Sequence, residues 1–178
     1  MCLGSNIGDR SKNLKKAVSF IEKEGVKILK KSSVYETHPV DSPPQPWFYN
    51  QVVEVSVALR PIDLLKITKK IEQKMGRTLT AQKEPRIIDI DILLAEKTVI
   101  RAEKLEIPHP RMEKRNFVLV PFYEISPKTV HPLLNVSIED LLKKSKDHSP
   151  VRKIKEQCPN KNSKISSLKE DIKRFVKK

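Results

Sequence analysis

The segment from Pro85 to Leu94 constrains the fold of this chain more than any other part of it. From Ile87 onward every residue of this segment is Ile or Leu except two aspartates, Asp89 and Asp91. An apolar run of this length is typical of a strand that is buried on both faces. Side chains alternate along a strand, so the two carboxylates share a face, with their Cα atoms roughly 6.5–7 Å apart. The sequence therefore predicts a buried strand that carries two neighbouring acids.

Two carboxylates on one buried face need a compensating charge. They repel each other and lose hydration, which costs several kcal/mol per ion unless something neutralises them. A divalent cation with oxygen ligands does so, and Mg²⁺ is the usual ion where phosphates complete its coordination shell. Arg86, three residues before Asp89, is placed to meet an anion beside such a metal. The alternative is a pair of acids that cap turns or pair with lysine; the flanking isoleucines favour the metal site.

Composition limits the classes of protein to which the chain can belong. It has 178 residues, of which 38% are hydrophobic, so it is long enough for one domain with a core and too short for a second full domain. It contains no run of about 18 apolar residues and no signal peptide, which predicts a soluble, cytoplasmic protein without a membrane partner. Cys2 and Cys158 lack metal-ligand spacing, and they exclude a disulfide framework.

The formal charge of +14 raises the question of nucleic-acid binding. The charge is uneven, because residues 143–178 hold 13 Lys or Arg against 4 Asp or Glu, a net charge of +9 that leaves +5 for the rest. We therefore expect a mildly basic domain at 1–142 and a lysine-rich tail at 143–178. The tail is either a solvated extension or a segment that contacts acidic partners non-specifically. If it is a solvated extension, removal of 150–178 should leave the activity unchanged.

Apolar periodicity predicts alternating strands and helices in the first half of the chain. The predicted elements are a strand at 1–3, a helix that ends at Gly25, a strand at 26–37, a strand at 48–59, a helix from Pro61 to Gly76, and the acidic strand. This β-α-β-β-α-β order is that of an α+β, ferredoxin-like core, here followed by a C-terminal extension. Further elements are a hairpin that turns at 95–97 and returns over 98–100, a short helix at 111–116, and a helix that starts at Ser137.

Five short motifs occur in a fixed order along the chain. They are Gly4-Ser5-Asn6, Ser32-Ser33-Val34-Tyr35-x-Thr37, Gln45-Pro46-x-Phe48-x-Asn50, Pro85-Arg86-x-x-Asp89-x-Asp91-Ile92-x-Leu94 and Pro108-His109-x-x-Met112-x-x-Arg115-x-Phe117. Together they resemble the 6-hydroxymethyl-7,8-dihydropterin pyrophosphokinases, a folate-pathway family, over residues 1–142. The resemblance implies a monomeric enzyme that transfers pyrophosphate from ATP to the pterin hydroxymethyl group and releases AMP.

The resemblance also implies how ATP and metal would be bound. Asp89 and Asp91 would hold two Mg²⁺ ions that bridge the triphosphate. Arg86, His109 and Arg115 would be catalytic with the two acids, since a guanidinium fork matches phosphate oxygens. The alternative interpretation of His109 is a turn residue between two prolines. The residues that match ATP-binding positions are Lys69, Glu72, Arg77, Arg86, Ile107, His109 and Arg115.

A second group of residues matches the pterin-binding positions of the family. Phe48 and Phe117 would sandwich the flat ring, and Asn50 would bind its donor and acceptor edge. Thr37 and Val40 would complete the pocket. Without the resemblance, the two phenylalanines are more simply interpreted as core residues.

The loop at 77–83 and its neighbour depart from the family pattern. Lys83 and Glu84 stand where the family has an aromatic residue and a glycine, and the aromatic residue helps to close the site over the pterin. Thr78 and Thr80 stand where a further catalytic arginine is often found. Arg77 is a candidate replacement, and Lys83 is a weaker one because an ammonium group is a point charge and not a fork.

Two further departures lie elsewhere. Glu106 replaces a small hydroxyl residue near the ATP and adds negative charge beside a polyanion. The first strand starts at Met1 and is several residues shorter than in the family, so we expect a truncated start. The departures together predict slower catalysis than in typical members.

Two other hypotheses remain open from the sequence. One is a weakened or inactive homologue that binds ATP or pterin without turnover. The other is an RNA-binding module, since a ferredoxin-like sheet with a basic tail suits that use. Such modules stack bases on exposed sheet aromatics, for which the sequence offers only Phe48 and Tyr49.

Overall fold

The computed structural model describes residues 1–40, 42–77 and 84–155. Its helices and strands follow the predicted alternation through the acidic strand and continue beyond it. The elements are β1 Cys2–Ser5, α1 Arg10–Lys23, β2 Lys27–Lys31, β3 Tyr35–Thr37, β4 Phe48–Ser56, α2 Pro61–Lys74, β5 Asp89–Asp91, β6 Ile100–Ala102, β7 Leu105–Ile107, a 3₁₀ turn Met112–Lys114, α3 Asn116–Ile125, β8 Val130–His131, β9 Val136–Ser137, α4 Ile138–Lys144 and β10 Val151–Lys153.

The main sheet is antiparallel and has the order β10-β3-β4-β1-β5, with β2 paired to the far part of β4. Its central strand is β4, and β1 lies between β4 and the edge strand β5. Gly4 on β1 faces Asn50 on one side and Asp89 on the other. The ferredoxin-like order predicted from the sequence is therefore confirmed, with the second strand in two pieces.

The two faces of this sheet are covered by different helices. Leu3, Val53 and Ile90 belong to a buried cluster with the apolar side chains of α1 and α2. Their chain neighbours Cys2 and Val52 belong to a second cluster with α3 and α4. This alternation follows from the twofold period of strand side chains. Among the described residues, no helix combines the length and the apolar composition needed to cross a bilayer.

The ends of three helices agree with the prediction. Gly25 and Gly76 follow α1 and α2 with φ of +82° and +96°, a conformation that glycine adopts without steric cost. Pro61 is the first residue of α2. Ser137 caps α4, and its hydroxyl accepts the N–H of Asp140 at 3.1 Å. These helix ends depend on short local signals, which explains why sequence alone located them.

Three predicted strands differ from the observed ones. The strand predicted at 26–37 breaks at Ser32, whose hydroxyl accepts the N–H of Val52 at 3.0 Å in place of a backbone carbonyl. The strand predicted at 48–59 ends at Ser56. The acidic strand is only three residues long, and it is not buried on both faces at the acids. Its isoleucines are buried on the α1–α2 side, whereas Asp89 and Asp91 are partly exposed on the other side.

The hairpin predicted after β5 is also wrong, and the short helix predicted there spans only three residues. Residues 100–102 pair with 105–107, not with the acidic strand, because a two-residue turn at 103–104 sets Ile100 opposite the fully buried Ile107. The predicted helix at 111–116 is a 3₁₀ turn followed by α3, which contains Pro121.

The chain beyond residue 142 contributes to the sheet. Strand β10 pairs with the outer edge of β3, and Lys153 on it forms an ion pair with Glu124 of α3 at 2.8 Å. Residues 156–178 lie outside the described part of the chain. The extent of the functional domain, predicted at 1–142, stays a prediction.

Candidate active site

A cavity of about 380 Å³ opens on the sheet face that carries Asp89 and Asp91. Its floor is formed by β1, β4 and β5, and its walls by the loop after β3, the start of α3 and three segments that carry arginines. The predicted site residues that line it are Thr37, Val40, Phe48, Asn50, Arg77, Arg86, Asp89, Asp91, Arg115 and Phe117. Residues that are more than 75 positions apart in the chain thus meet in one cavity.

The two acids have different electrostatic surroundings. Asp89 is paired with two arginines: its Oδ1 with Arg77, and its Oδ2 with Nη1 of Arg86 at 2.6 Å. For Asp91, Nε2 of His109 lies 3.9 Å from Oδ2. Burial, followed by the repulsion of Asp89, raises the pKa of Asp91 to about 6. Asp91 is therefore the acid that gains most from a cation placed beside the pair.

A fully buried carboxylate supports the acidic strand from helix α2. Glu72 accepts the N–H of Ile90 at 2.7 Å and also pairs with Arg77 at 2.7 Å and Lys69 at 3.0 Å. Burial raises its pKa, against the effect of the two cations. Glu72 and Lys69 do not line the cavity, so Glu72 acts on it through Ile90 and through Arg77, which does line it. Their predicted role in ATP binding stays a prediction.

His109 and Ile107 lie beside the cavity without lining it. The backbone N–H of His109 donates to Leu93 O at 2.8 Å, and Nε2 lies 3.9 Å from Oδ2 of Asp91. Burial, and next the charge of Arg115, lower the pKa of His109, which keeps its imidazole neutral at pH 7. Ile107 is fully buried in the core. At 3.9 Å the imidazole is near enough to reach a ligand bound at Asp91.

The opposite end of the cavity is shaped for a flat polar ring. Asn50 is 4% exposed, and its Nδ2 donates to the hydroxyl of Thr37 at 2.7 Å. A Cβ atom at Gly4 would lie only 2.7 Å from Oδ1 of Asn50, so glycine is required for this packing. Phe48 and Phe117 both line the cavity. The simpler interpretation had predicted that they are closed into the core.

An arginine accompanies each of the two aromatic rings. The guanidinium carbon of Arg86 is 5.9 Å from the ring centre of Phe48, and that of Arg115 is 5.5 Å from Phe117. Cationic groups thus flank the space between the rings and the acids. This is an arrangement in which an aromatic heterocycle and an anionic group can be bound side by side.

The amino-acid chain matches the family described as 7,8-dihydro-6-hydroxymethylpterin-pyrophosphokinase (HPPK) over residues 1–127. The chain belongs to the HPPK family. It is 45% identical over 126 residues to the Bacillus subtilis 2-amino-4-hydroxy-6-hydroxymethyldihydropteridine pyrophosphokinase, covering 70% of this chain and 75% of that protein. It is 41% identical over 138 residues to the Aquifex aeolicus protein of the same name, covering 78% and 86%.

Longer relatives contain an HPPK-like region as a small part. The chain is 42% identical to the folic acid synthesis protein fol1 of Pneumocystis carinii, covering 82% of this chain but only 20% of that protein. The chain therefore spans about a fifth of the length of such relatives. A crystal structure of Plasmodium falciparum HPPK-DHPS with pteroate has a TM-score of 0.64 and 20% identity, covering 80% of this chain and 41% of that one. That likeness supports the fold, and the resemblance inferred from the motifs is confirmed.

Several residues around the HPPK site were not singled out from the sequence. The side chain of Asn6 donates to Gln45 at 2.9 Å and accepts the backbone N–H of Arg86 at 2.6 Å. It thus joins the Gly-Ser-Asn motif to two other motifs, a contact that the order of the motifs did not predict. Gln45 and Arg111 also line the cavity. Their positions within the Gln-Pro and Pro-His motifs were the available signal.

The residues that depart from the family pattern lie in different parts of the chain. Thr78, Thr80 and Lys83 lie outside the described residues. Glu84 is exposed, and Glu106 is exposed on β7 and does not line the cavity.

The RNA-binding hypothesis gains no support from the sheet. Phe48 lines the cavity, and the guanidinium carbon of Arg10 lies 3.8 Å from the ring centre of Tyr49. Adjacent strand residues point to opposite faces, so the two rings do not form one stacking surface on the sheet.

Proposed function

We propose that this chain transfers pyrophosphate from ATP to 6-hydroxymethyl-7,8-dihydropterin, giving the pterin diphosphate and AMP, as a step of folate biosynthesis. Membership of the HPPK family supports an ATP-dependent diphosphotransferase. The observation that carries the proposal is that one cavity brings together an acid pair, four arginines and two aromatic rings. This set serves a flat ring and a polyphosphate at once.

The pterin is assigned to the end of the cavity with Phe48 and Phe117. Their rings would stack on the two faces of the heterocycle, because a flat π-system gains contact area and dispersion there. Asn50 would bind the polar edge of the ring through its amide, which is already oriented by Thr37. A buried and pre-oriented amide selects a ligand whose donors and acceptors match it.

The triphosphate is assigned to the end with the arginines. In the ligand-free protein, Arg77 and Arg86 neutralise Asp89. Phosphate oxygens offer both guanidinium groups a stronger bidentate partner, and the exchange frees Asp89 to act as a ligand. Arg115 lies beside Phe117 and would contact the phosphates next to the pterin. His109, which is neutral, would donate or accept one hydrogen bond.

The acid pair fits Mg²⁺, and we propose two ions. Carboxylate oxygens are hard ligands, and burial and the repulsion of Asp89 raise the pKa of Asp91 despite the opposing charges of Lys69, Arg77 and Arg86. In the described part of the chain no group of three or more acids, histidines or cysteines forms a complete metal cage. Two carboxylates therefore suit an ion whose remaining ligands are water and phosphate oxygens. Bound Mg²⁺ would neutralise charge that develops on the phosphates.

The reaction itself requires positioning more than covalent participation by the protein. The pterin hydroxyl oxygen forms a bond to the β-phosphorus, and the bond from that phosphorus to the oxygen of the α-phosphate breaks, so that AMP leaves. The hydroxyl proton is lost to solvent. The aromatic pair and Asn50 hold the nucleophile, whereas Arg86 and Arg115 hold the phosphates and stabilise the transferring charge.

An AMP-release assay with ATP, Mg²⁺ and the reduced pterin tests the proposal. Asp89→Ala is expected to lower kcat by at least about a hundredfold, the usual cost of removing one group that stabilises transition-state charge. Asp63→Ala is the matched control, because Asp63 pairs with Arg60 and Lys66 on the surface of α2, outside the cavity. Absence of AMP from the unaltered protein, or equal rates for both variants, would contradict the proposal.

We also expect the enzyme to act as a monomer in the cytoplasm, with nucleic-acid contacts limited to the tail. Light scattering at two protein concentrations tests the monomeric state. A mass that rises with concentration would contradict it.

A further inference from the structure

We propose that strand β10 positions the pterin site, because Arg152 contacts Trp47 and thereby fixes the described part of the loop between β3 and β4 that walls the cavity. This inference rests on the function proposed above. It gives a positioning role to a segment that lies beyond residues 1–127, the part of the chain that matches the family.

Strand β10 reaches the site through its backbone. It pairs with β3 so that Val151 faces Thr37, and the N–H of His38 donates to Pro150 O at 3.3 Å. Thr37 and His38 both line the cavity. The start of the loop is therefore anchored to a segment more than 110 residues later in the chain.

The side chain of Trp47 joins the two ends of the same loop. Its ring meets His38 edge-on, with ring centres 5.5 Å apart and an angle of 87°. The guanidinium carbon of Arg152 lies 5.0 Å from the Trp47 ring centre, within the range of a cation–π contact. The next residue after Trp47 is Phe48, one of the two rings assigned to the pterin. A displacement of Trp47 therefore moves Phe48.

The other side of the loop is held from the first motif and α1. Nη1 of Arg10 donates to Trp47 O at 2.7 Å, and Asn6 donates to Pro46 O at 3.2 Å. These contacts fix the backbone of the loop end, whereas Arg152 and His38 contact the indole ring. Arg152 thus adds a restraint on side-chain orientation that the backbone contacts do not supply.

The neighbouring Lys153 provides a matched control. Successive strand residues point to opposite faces, and Lys153 pairs with Glu124 of α3 instead of the loop. Both residues are cationic and exposed, so Arg152→Ala and Lys153→Ala remove the same charge from the same strand. Only the first removes a contact with Trp47.

The kinetic test is a steady-state comparison of the two variants in the full chain. Arg152→Ala is expected to raise KM for the pterin about two- to fivefold, the range of an exposed cation–π contact, without changing kcat or KM for ATP. Arg152→Lys is expected to restore most of the loss. Lys153→Ala should match the unaltered protein. Removal of 150–178 should raise KM for the pterin more than Arg152→Ala does, because it also removes the hydrogen bond to His38. The sequence-based expectation was that this removal leaves activity unchanged.

Trp47 supplies a readout that does not depend on turnover, since it is the only tryptophan in the chain. Acrylamide quenching of its fluorescence should increase in Arg152→Ala and stay unchanged in Lys153→Ala. Quenching that increases without a change in pterin KM would overturn the positioning role. An equal KM increase in Lys153→Ala would overturn it as well.

Calorimetric titration of the pterin separates this inference from the proposed function. If the unaltered protein binds pterin but forms no AMP, the proposed function fails, and the affinities of the variants still test Arg152. If AMP forms and all variants bind pterin equally, the inference alone fails. A protein that neither binds pterin nor forms AMP overturns both.

Discussion

Two substitutions of Glu72 should distinguish its role as a hydrogen-bond acceptor for the acidic strand from the effect of its negative charge. It is 1% exposed, it accepts the N–H of Ile90, and its charge is shared with Arg77 and Lys69. Glu72→Ala removes the acceptor and the charge together. Glu72→Gln removes the charge but keeps an acceptor and nearly the same volume.

The expected cost of Glu72→Ala follows from two terms. The buried N–H of Ile90 is left without its acceptor, which costs about 1–3 kcal/mol. Loss of the buried Cγ methylene adds ~0.8 kcal/mol. We therefore expect the free energy of unfolding to fall by about 2–4 kcal/mol, a large part of the 5–15 kcal/mol typical of a domain.

Glu72→Gln should behave differently because burial raises the pKa of Glu72. A carboxyl group whose folded pKa lies above its unfolded value disfavours folding once both states are above those pKa values. At pH 7 the glutamine variant should therefore be as stable as the unaltered protein or more so. This difference should disappear as the pH falls below about 4.5, where the carboxyl group is protonated in both states.

Urea unfolding followed by Trp47 fluorescence measures these free energies. Lys69→Ala is the control for the loss of an ion pair, since 42% of the Lys69 side chain is exposed and such a pair contributes at most about 1 kcal/mol. If Glu72→Ala costs less than about 1 kcal/mol, or Glu72→Gln costs as much as Glu72→Ala, the assigned support of Ile90 is refuted.

Three further predictions concern ligand binding and rate. Affinity for Mg²⁺-ATP should fall below about pH 6, because Asp91 then takes up a proton and ceases to be a metal ligand; calorimetry from pH 5 to 8 checks this, and an unchanged affinity would contradict it. Gly4→Ala should weaken pterin binding about tenfold, since the added Cβ meets Oδ1 of Asn50 at 2.7 Å and displaces the amide, while ATP binding stays unchanged. Glu84→Gly should raise kcat if the missing glycine slows closure; an unchanged kcat would remove Glu84 as the cause.

The sequence predicted the placement of the acids because strand geometry is nearly invariant. Residues two apart on a strand share a face whatever surrounds them, so Asp89 and Asp91 could be paired without a structure. The arginines around Asp89 could not be found in the same way. Arg77 reaches it from the end of α2, and that approach depends on how the helix packs on the sheet.

The wrong predictions share a different cause. Ser32 interrupts a pattern of strand-forming residues with one side-chain hydrogen bond, which leaves periodicity unchanged. Ile100 has equally good apolar partners on both sides in the chain, and the choice of Ile107 depends on burial in the assembled core. The pairing of Val151 with Thr37 joins segments so distant that periodicity carries no information about it.

The position of Gly4 has a consequence for the distance over which transfer takes place. Asn50 and Asp89 flank this glycine on adjacent strands, so their Cα atoms are separated by two interstrand spacings, roughly 9–10 Å. In the proposed reaction, the separation between nucleophile and donor would thereby be set by hydrogen-bonded backbone within the sheet. Substitutions in the surrounding loops should consequently alter how long each substrate stays bound far more than how fast a bound pair reacts.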